Sequence, residues 1–183
     1  MRTRIKVCGI TTPDDAAMAA RAGADFVGVV LTGSPRRVTA ERAREIAIVL
    51  PAETLLVAVF ADEPPEVVAQ RIEDLPVHAV QVRGWGDAAP ESSYEVWHVL
   101  RGGTPSDPAT LPMVPLRTYL LDAEDPSRPG GTGKRADWDW ARRGVNAGLR
   151  LIVAGGLHPG NVSELILNVR PFGVDASSGL ESE

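Results

Sequence analysis

Apolar residues in this chain cluster into short runs, and between the runs they recur at helical spacing. Residues 5–8 read as a first strand. Thr12-Pro13-Asp14-Asp15 then opens a helix: a hydroxyl cap, proline at the first helical position and acids in the first turn. That helix runs through Ala22 and stops at Gly23. A second strand over residues 26–31 leads through the loop Thr32-Gly33-Ser34-Pro35 to a helix capped by Thr39, with Ala43, Ile46, Ala47 and Leu50 on one face. A third strand spans 55–60, and Pro64-Pro65 opens the helix that carries Val67, Val68 and Ile72. The fourth strand is 77–82, ending before Gly84. Residues 96–100 are a fifth strand candidate, followed by loop over 102–112 where a helix is expected. A sixth strand covers 119–121, a helix 138–145, a seventh strand 149–153, a helix 161–169 and an eighth strand 173–176.

Strands alternating with helices imply parallel pairing. Eight of them predict an α/β fold, a closed (β/α)8 TIM barrel forming one domain over residues 1–183, although this is a short chain for that architecture. An open doubly wound sheet is the alternative. No Gly-x-Gly-x-x-Gly follows the first strand, which weakens a dinucleotide-binding version of it.

Composition adds exclusions. A net charge of −5 without a dense basic run argues against a nucleic-acid partner. No apolar stretch is long enough to span a membrane. The basic start (Arg2, Arg4, Lys6) is followed by a turn and acids instead of a signal-peptide core. With one cysteine and therefore no internal disulfide, the expected location is cytoplasmic. His78, His98 and His158 lack metal-ligand spacing, so no metal site is expected.

In a barrel, strand C-termini and the loops after them build one active-site face. Cys8, Arg36, Gln81, Arg83, Asp122 and residues 154–156 and 175–179 are all placed there. Cys8 reads either as a small buried hydrophobe or as a base. Lys6 lies on the same strand face, and its ammonium would favour a thiolate, whose reference pKa is about 8.5. Asp122 ends an apolar strand, as a turn former or as a general acid. Gly155 and Gly156 follow the seventh strand, and Ser177, Ser178 and Gly179 follow the eighth; loops in those two positions commonly hold phosphate. Arg36 and Arg83 suit a carboxylate. Gly130-Gly131-Thr132-Gly133 reads as a mobile lid or a plain turn.

These segments together resemble phosphoribosylanthranilate isomerase of tryptophan biosynthesis. The matching stretches are Lys6-Val7-Cys8-Gly9-Ile10-Thr11, Gly23-Ala24-Asp25, Ser34-Pro35-Arg36, Val59-Phe60, Gln81-Val82-Arg83-Gly84, Leu121-Asp122, Gly130-Gly131-Thr132-Gly133, Ala154-Gly155-Gly156-Leu157 with Asn161, and Val174-Asp175-Ala176-Ser177-Ser178-Gly179. They run in the family's order over nearly the whole chain. The resemblance implies an Amadori rearrangement of a small phosphorylated sugar–anthranilate substrate, without a cofactor. Cys8 matches the general base and Asp122 the acid. Arg36 matches the ligand of the anthranilate carboxylate, and the last two loops match the phosphate site. Two departures accompany it: Arg83 stands where the family usually has histidine, and the family's final helix is missing after the eighth strand, which is expected to expose apolar surface there. A histidine-pathway or bifunctional sugar isomerase, and a phosphosugar-binding barrel without turnover, remain the alternatives. Nothing in the chain predicts its oligomeric state.

Overall fold

The computed structural model describes residues 2–85, 93–100, 105–113, 117–123 and 136–181. Within them the order is β1 (Arg4–Cys8), α1 (Pro13–Arg21), β2 (Phe26–Val30), α2 (Ala40–Val49), β3 (Leu55–Val59), α3 (Pro65–Ile72), β4 (Val77–Val82), β5 (Glu95–Leu100), β6 (Thr118–Leu121), α4 (Trp138–Asn146), β7 (Arg150–Val153), α5 (Val162–Val169) and β8 (Gly173–Ala176). The strands are neighbours in sequence order in a closed barrel, and the pairings β1–β2, β2–β3, β3–β4, β4–β5, β6–β7 and β7–β8 are parallel. The eight predicted strands are therefore found, and the open doubly wound alternative is excluded. The weak stretch after the fifth strand holds a 3-10 turn, Pro108–Thr110, among its described residues.

By packing, the chain divides into two compact units, residues 5–98 and residues 1–4 with 99–183. In the first unit the period-2 alternation of the strands sorts side chains into two sets. Val27, Val29, Leu56, Ala58, Val80 and Val82 join Ala16, Ala43, Ile46, Val68 and Ile72 of the helices in one hydrophobic core. The opposite strand face carries Phe26, Val57, Ala79 and Trp97, with the Phe26 ring edge-on to Trp97 at 4.9 Å. Thr12 and Thr39 cap α1 and α2 by accepting from the amides of Asp15 and Arg42, as their positions in the sequence predict.

The loop end of this unit is braced by Glu63. Its carboxylate accepts from the Ala61 amide and pairs with Arg71, which also donates to the Leu31 carbonyl. Burial pushes the Glu63 carboxyl up, but hydrogen bonds from Thr32 and the Ala61 amide, with the Arg71 charge, outweigh it and hold the group below its ordinary value.

The second unit repeats the scheme. Leu121, Val153 and Val174 face Trp140, Ala141, Leu165 and Val169 of α4 and α5 in a single apolar cluster. Among the described residues no α-helix follows β8, only the 3-10 turn Ser178–Leu180. The exposure expected at the eighth strand does not occur, because Gly173, Val174 and Asp175 are buried. Val174 belongs to the α4–α5 cluster, which covers it. Apolar exposure falls instead on side chains such as Ile5, Leu167 and Leu180. No helix among the described residues is long and apolar enough to cross a membrane.

Candidate active site

In residues 5–98 the first predicted site residue, Cys8, lies at the end of β1. Lys6 and Cys8, two residues apart, share a strand face, and Cys8 pairs in register with Gly28 of β2. A Cβ built on Gly28 would lie 3.0 Å from the Cys8 sulfur and 3.1 Å from both Cε and Nζ of Lys6. Glycine thus leaves the space into which the thiol and the ammonium converge. The two are no more than about 6 Å apart, within the range where a neighbouring cation favours an anion. Lys6 is only 1% exposed, so little solvent weakens its field. The Gly28 carbonyl also accepts from the amides of Gly9 and Ile10, which ties down the turn after the thiol.

A Gly28→Ala variant would force the added methyl against both groups. Its kcat/KM is expected to fall on the order of 10²-fold, as small displacements of reacting groups commonly cause. Its stability is expected to drop by about 1–3 kcal/mol through overpacking. Wild-type kinetics in this variant would show that the slot does not position the thiol.

Gln81, the penultimate residue of β4, lies on the same sheet face as Ala79, one side-chain step beyond it. Its amide is buried, and among the described residues its Oε1 has no hydrogen-bond partner. Such an acceptor is costly unless a ligand donates to it. Arg83, just after β4, directs its guanidinium to the Asp62 carboxylate in the loop after β3. Both line a cleft of about 420 Å³ with Glu63, Pro64 and Trp85. Arg36 is half-buried in the loop after β2, where its amide donates to the Ser34 hydroxyl, 3.1 Å away.

In residues 1–4 and 99–183, Leu121, Val153 and Val174 are register partners across β6, β7 and β8. All three face the helices, so the next residues, Asp122, Ala154 and Asp175, turn to the opposite face. Asp122 is half-buried and accepts from the amide of Ala123 at 2.8 Å. That contact fits the turn-former reading and equally holds the carboxylate in one orientation. Gly155 abuts the same turn, since a Cβ there would fall 2.6 Å from the Ala123 nitrogen. Gly155 and Gly156 both have positive φ, 78° and 63°, which is glycine's region. A Cβ on Gly179 would come within 2.0 Å of the Leu157 carbonyl oxygen, so the loops after β7 and β8 touch. Ser177 and Ser178 lie in the second of these loops, at the start of its 3-10 turn.

Each predicted site residue stands at the C-terminal end of a strand or in the loop that follows it, and each group is assembled within its own unit: Cys8 with Gly28, Gln81 of β4 with Arg83 just after that strand, Asp122 with Gly155, and Gly179 with Leu157. Residues 130–133 lie outside the described residues. Among the described residues no cluster of three or more histidine, cysteine or acidic side chains could hold a metal.

Four residues carry more than sequence reasoning assigned them. Lys6 is fully buried. Gly28 is marked by no turn signal, so its role shows only from its neighbour on β1. Asp175 is a carboxylate 7% exposed on the face it shares with Asp122; a charge inside an apolar strand was its available signal. Asn161 bonds back to the Gly156 carbonyl.

Residues 5–183 match the model of the N-(5'-phosphoribosyl)anthranilate (PRA) isomerase family. The chain belongs to that family. An N-(5'-phosphoribosyl)anthranilate isomerase from Trichlorobacter lovleyi is 40% identical over 98% of this chain and 89% of its own length. The crystal structure of phosphoribosyl anthranilate isomerase from Thermus thermophilus superposes with a TM-score of 0.84 at 35% identity, covering 99% of this chain and 90% of that one. A second structure is a phosphoribosyl anthranilate isomerase in complex with reduced 1-(o-carboxyphenylamino)-1-deoxyribulose 5-phosphate. It matches with a TM-score of 0.76 at 28% identity, covering 100% of this chain and 90% of that one. The chain is an isomerase, and its reaction is the rearrangement of the tryptophan pathway for which the family is named.

Proposed function

We propose that the rearrangement of N-(5'-phosphoribosyl)anthranilate to 1-(2-carboxyphenylamino)-1-deoxyribulose 5-phosphate runs in this chain by general acid and base catalysis from Cys8 and Asp122. Asp122 gives a proton to the ring oxygen as the C1–O bond breaks, and the anilino nitrogen's lone pair forms the C=N bond. Cys8, as thiolate, then removes the C2 proton, and those electrons form a C1=C2 enaminol. Ketonisation restores a C–H bond at C1 and leaves the carbonyl at C2. Substrate and product are isomers, so the stoichiometry calls for no external electron carrier. Arg83 takes no part in proton exchange, because a guanidinium keeps its charge near neutral pH. The two proton duties therefore rest on the thiol and the carboxyl.

The observation that carries this reading is the slot at Gly28, where a buried ammonium and the chain's single thiol converge. An apolar resting place for a cysteine would hold no buried cation. Binding divides among the other strand ends. Arg36 pairs with the anthranilate carboxylate. Gln81 offers its orphaned acceptor to a substrate donor, with Arg83 just beyond the end of β4. Gly155, Gly156, Ser177, Ser178 and Gly179 cradle the phosphate. We take residues 1–183 as one catalytic domain, as the unbroken order of its eight strands supports. We place it in the cytoplasm, where reducing conditions keep a working thiol reduced.

The test is turnover of the phosphoribosyl substrate by the purified protein, with product identified chromatographically. Conversion is expected. A folded protein that binds the product analogue and converts nothing would overturn the reading in favour of a non-catalytic binder. For Arg36→Met, KM is expected to rise roughly 10- to 100-fold, the cost of losing a charge-assisted contact, with a smaller change in kcat. Initial-rate kinetics that leave KM in place would remove Arg36 from the carboxylate site.

A further inference from the structure

Asn161 sits at the position before α5 where asparagine ordinarily accepts a bond from an amide of the helix's first turn. Its side chain makes no such cap. It turns back over the loop after β7 instead. Its Nδ2 donates to the Gly156 carbonyl at 2.8 Å, and its Oδ1 accepts from the His158 amide at 3.0 Å. One amide group therefore grips two successive peptide planes, 156–157 and 157–158.

The consequence follows from peptide geometry. In a trans peptide the C=O and the following N–H point in opposite directions. With the Gly156 carbonyl drawn toward Asn161, the Leu157 N–H is directed away from it. With the His158 N–H drawn toward Asn161, the Leu157 carbonyl is likewise directed away, and it is this oxygen that a Cβ on Gly179 would strike at 2.0 Å. Asn161 thus sets both the amide direction in the first loop and the surface on which the second loop rests. The Gly155–Gly156 turn, with two consecutive positive φ values, is a conformation for which a clamp is most useful, because glycine alone does not hold it.

We infer that Asn161 is a positioning residue for the substrate's phosphate, orienting the backbone amides of the loops after β7 and β8 toward one anion. The inference rests on the reading of those loops as the phosphate site.

The experiment compares wild type with Asn161→Ala and Asn161→Asp in steady-state kinetics, with inorganic phosphate as a competitive inhibitor. Aspartate keeps the acceptor for the His158 amide and loses the donor to the Gly156 carbonyl, at nearly unchanged volume. Both variants are expected to raise KM and the phosphate inhibition constant together, by about tenfold, the scale of one or two lost hydrogen bonds. The turnover number at saturation is expected to stay within about twofold. A purely structural role would lower the melting temperature without this coupled shift. The inference is overturned if either folded variant binds phosphate as wild type does, or if kcat falls while phosphate inhibition is unchanged. A wild-type enzyme indifferent to inorganic phosphate, yet active, would overturn the phosphate-site reading itself.

Discussion

Cys8→Ala is expected to lower kcat by about 10²-fold or more, the ordinary contribution of a positioned base, while leaving KM within a few-fold. The reason is local. The thiol stands at the end of β1 with the Lys6 ammonium beside it over Gly28, and removing the sulfur would remove the proposed proton acceptor without touching the proposed binding loops. Cys8→Ser is expected to be nearly as impaired, since a hydroxyl beside one ammonium does not ionise near neutral pH. Because the chain holds one cysteine, alkylation by iodoacetamide reads a single group. Loss of activity should track its modification one for one, and bound product should slow it. An alanine variant that turns over substrate like wild type would remove Cys8 from the mechanism.

Asp122→Asn is expected to cost a similar factor, about 10²-fold or more in kcat. The amide keeps the carboxylate's size and can still accept from the Ala123 amide at Oδ1, so the turn against Gly155 should persist. What it lacks is a proton to give when the sugar ring opens. Product is already open-chain, so its affinity, measured by calorimetry, should be unchanged in the variant. A loss of product affinity in step with the loss of rate would mark Asp122 as a structural turn residue. A variant with normal turnover would leave ring opening without its assigned acid.

Both predictions concern residues that the chain displays plainly. A cysteine between Val7 and Gly9, and an aspartate after Tyr119-Leu120-Leu121, each interrupt an apolar run at the point where a strand must give way to a turn. Polar groups at such boundaries are legible because period-2 burial leaves them no bland place in the core. The helix starts were equally readable at Thr12 and Thr39, whose hydroxyls accept from Asp15 and Arg42 as their spacing foretold. Asn161 shows the opposite case: at the same kind of position, its side chain serves the preceding loop. Choice between those partners depends on where the loop lies, which no local pattern records.

The sequence by itself determined the alternation of eight strands with helices, the placement of Cys8, Arg36, Gln81, Arg83 and Asp122 at strand ends or in the loops that follow them, and the Gly155–Gly156 pair and Gly179 after the last two strands. These follow from short-range rules of periodicity, capping and turn chemistry, each acting within a few residues. Tertiary structure alone decided that Gly28 must lack a side chain, that Lys6 is buried beside Gly28, that Arg83 meets Asp62, and that Gly179 seats against the Leu157 carbonyl. Those are contacts between segments about 20 residues apart or more. Their partners are chosen by strand register and by the close packing of loops, and both exist only once the strands have paired.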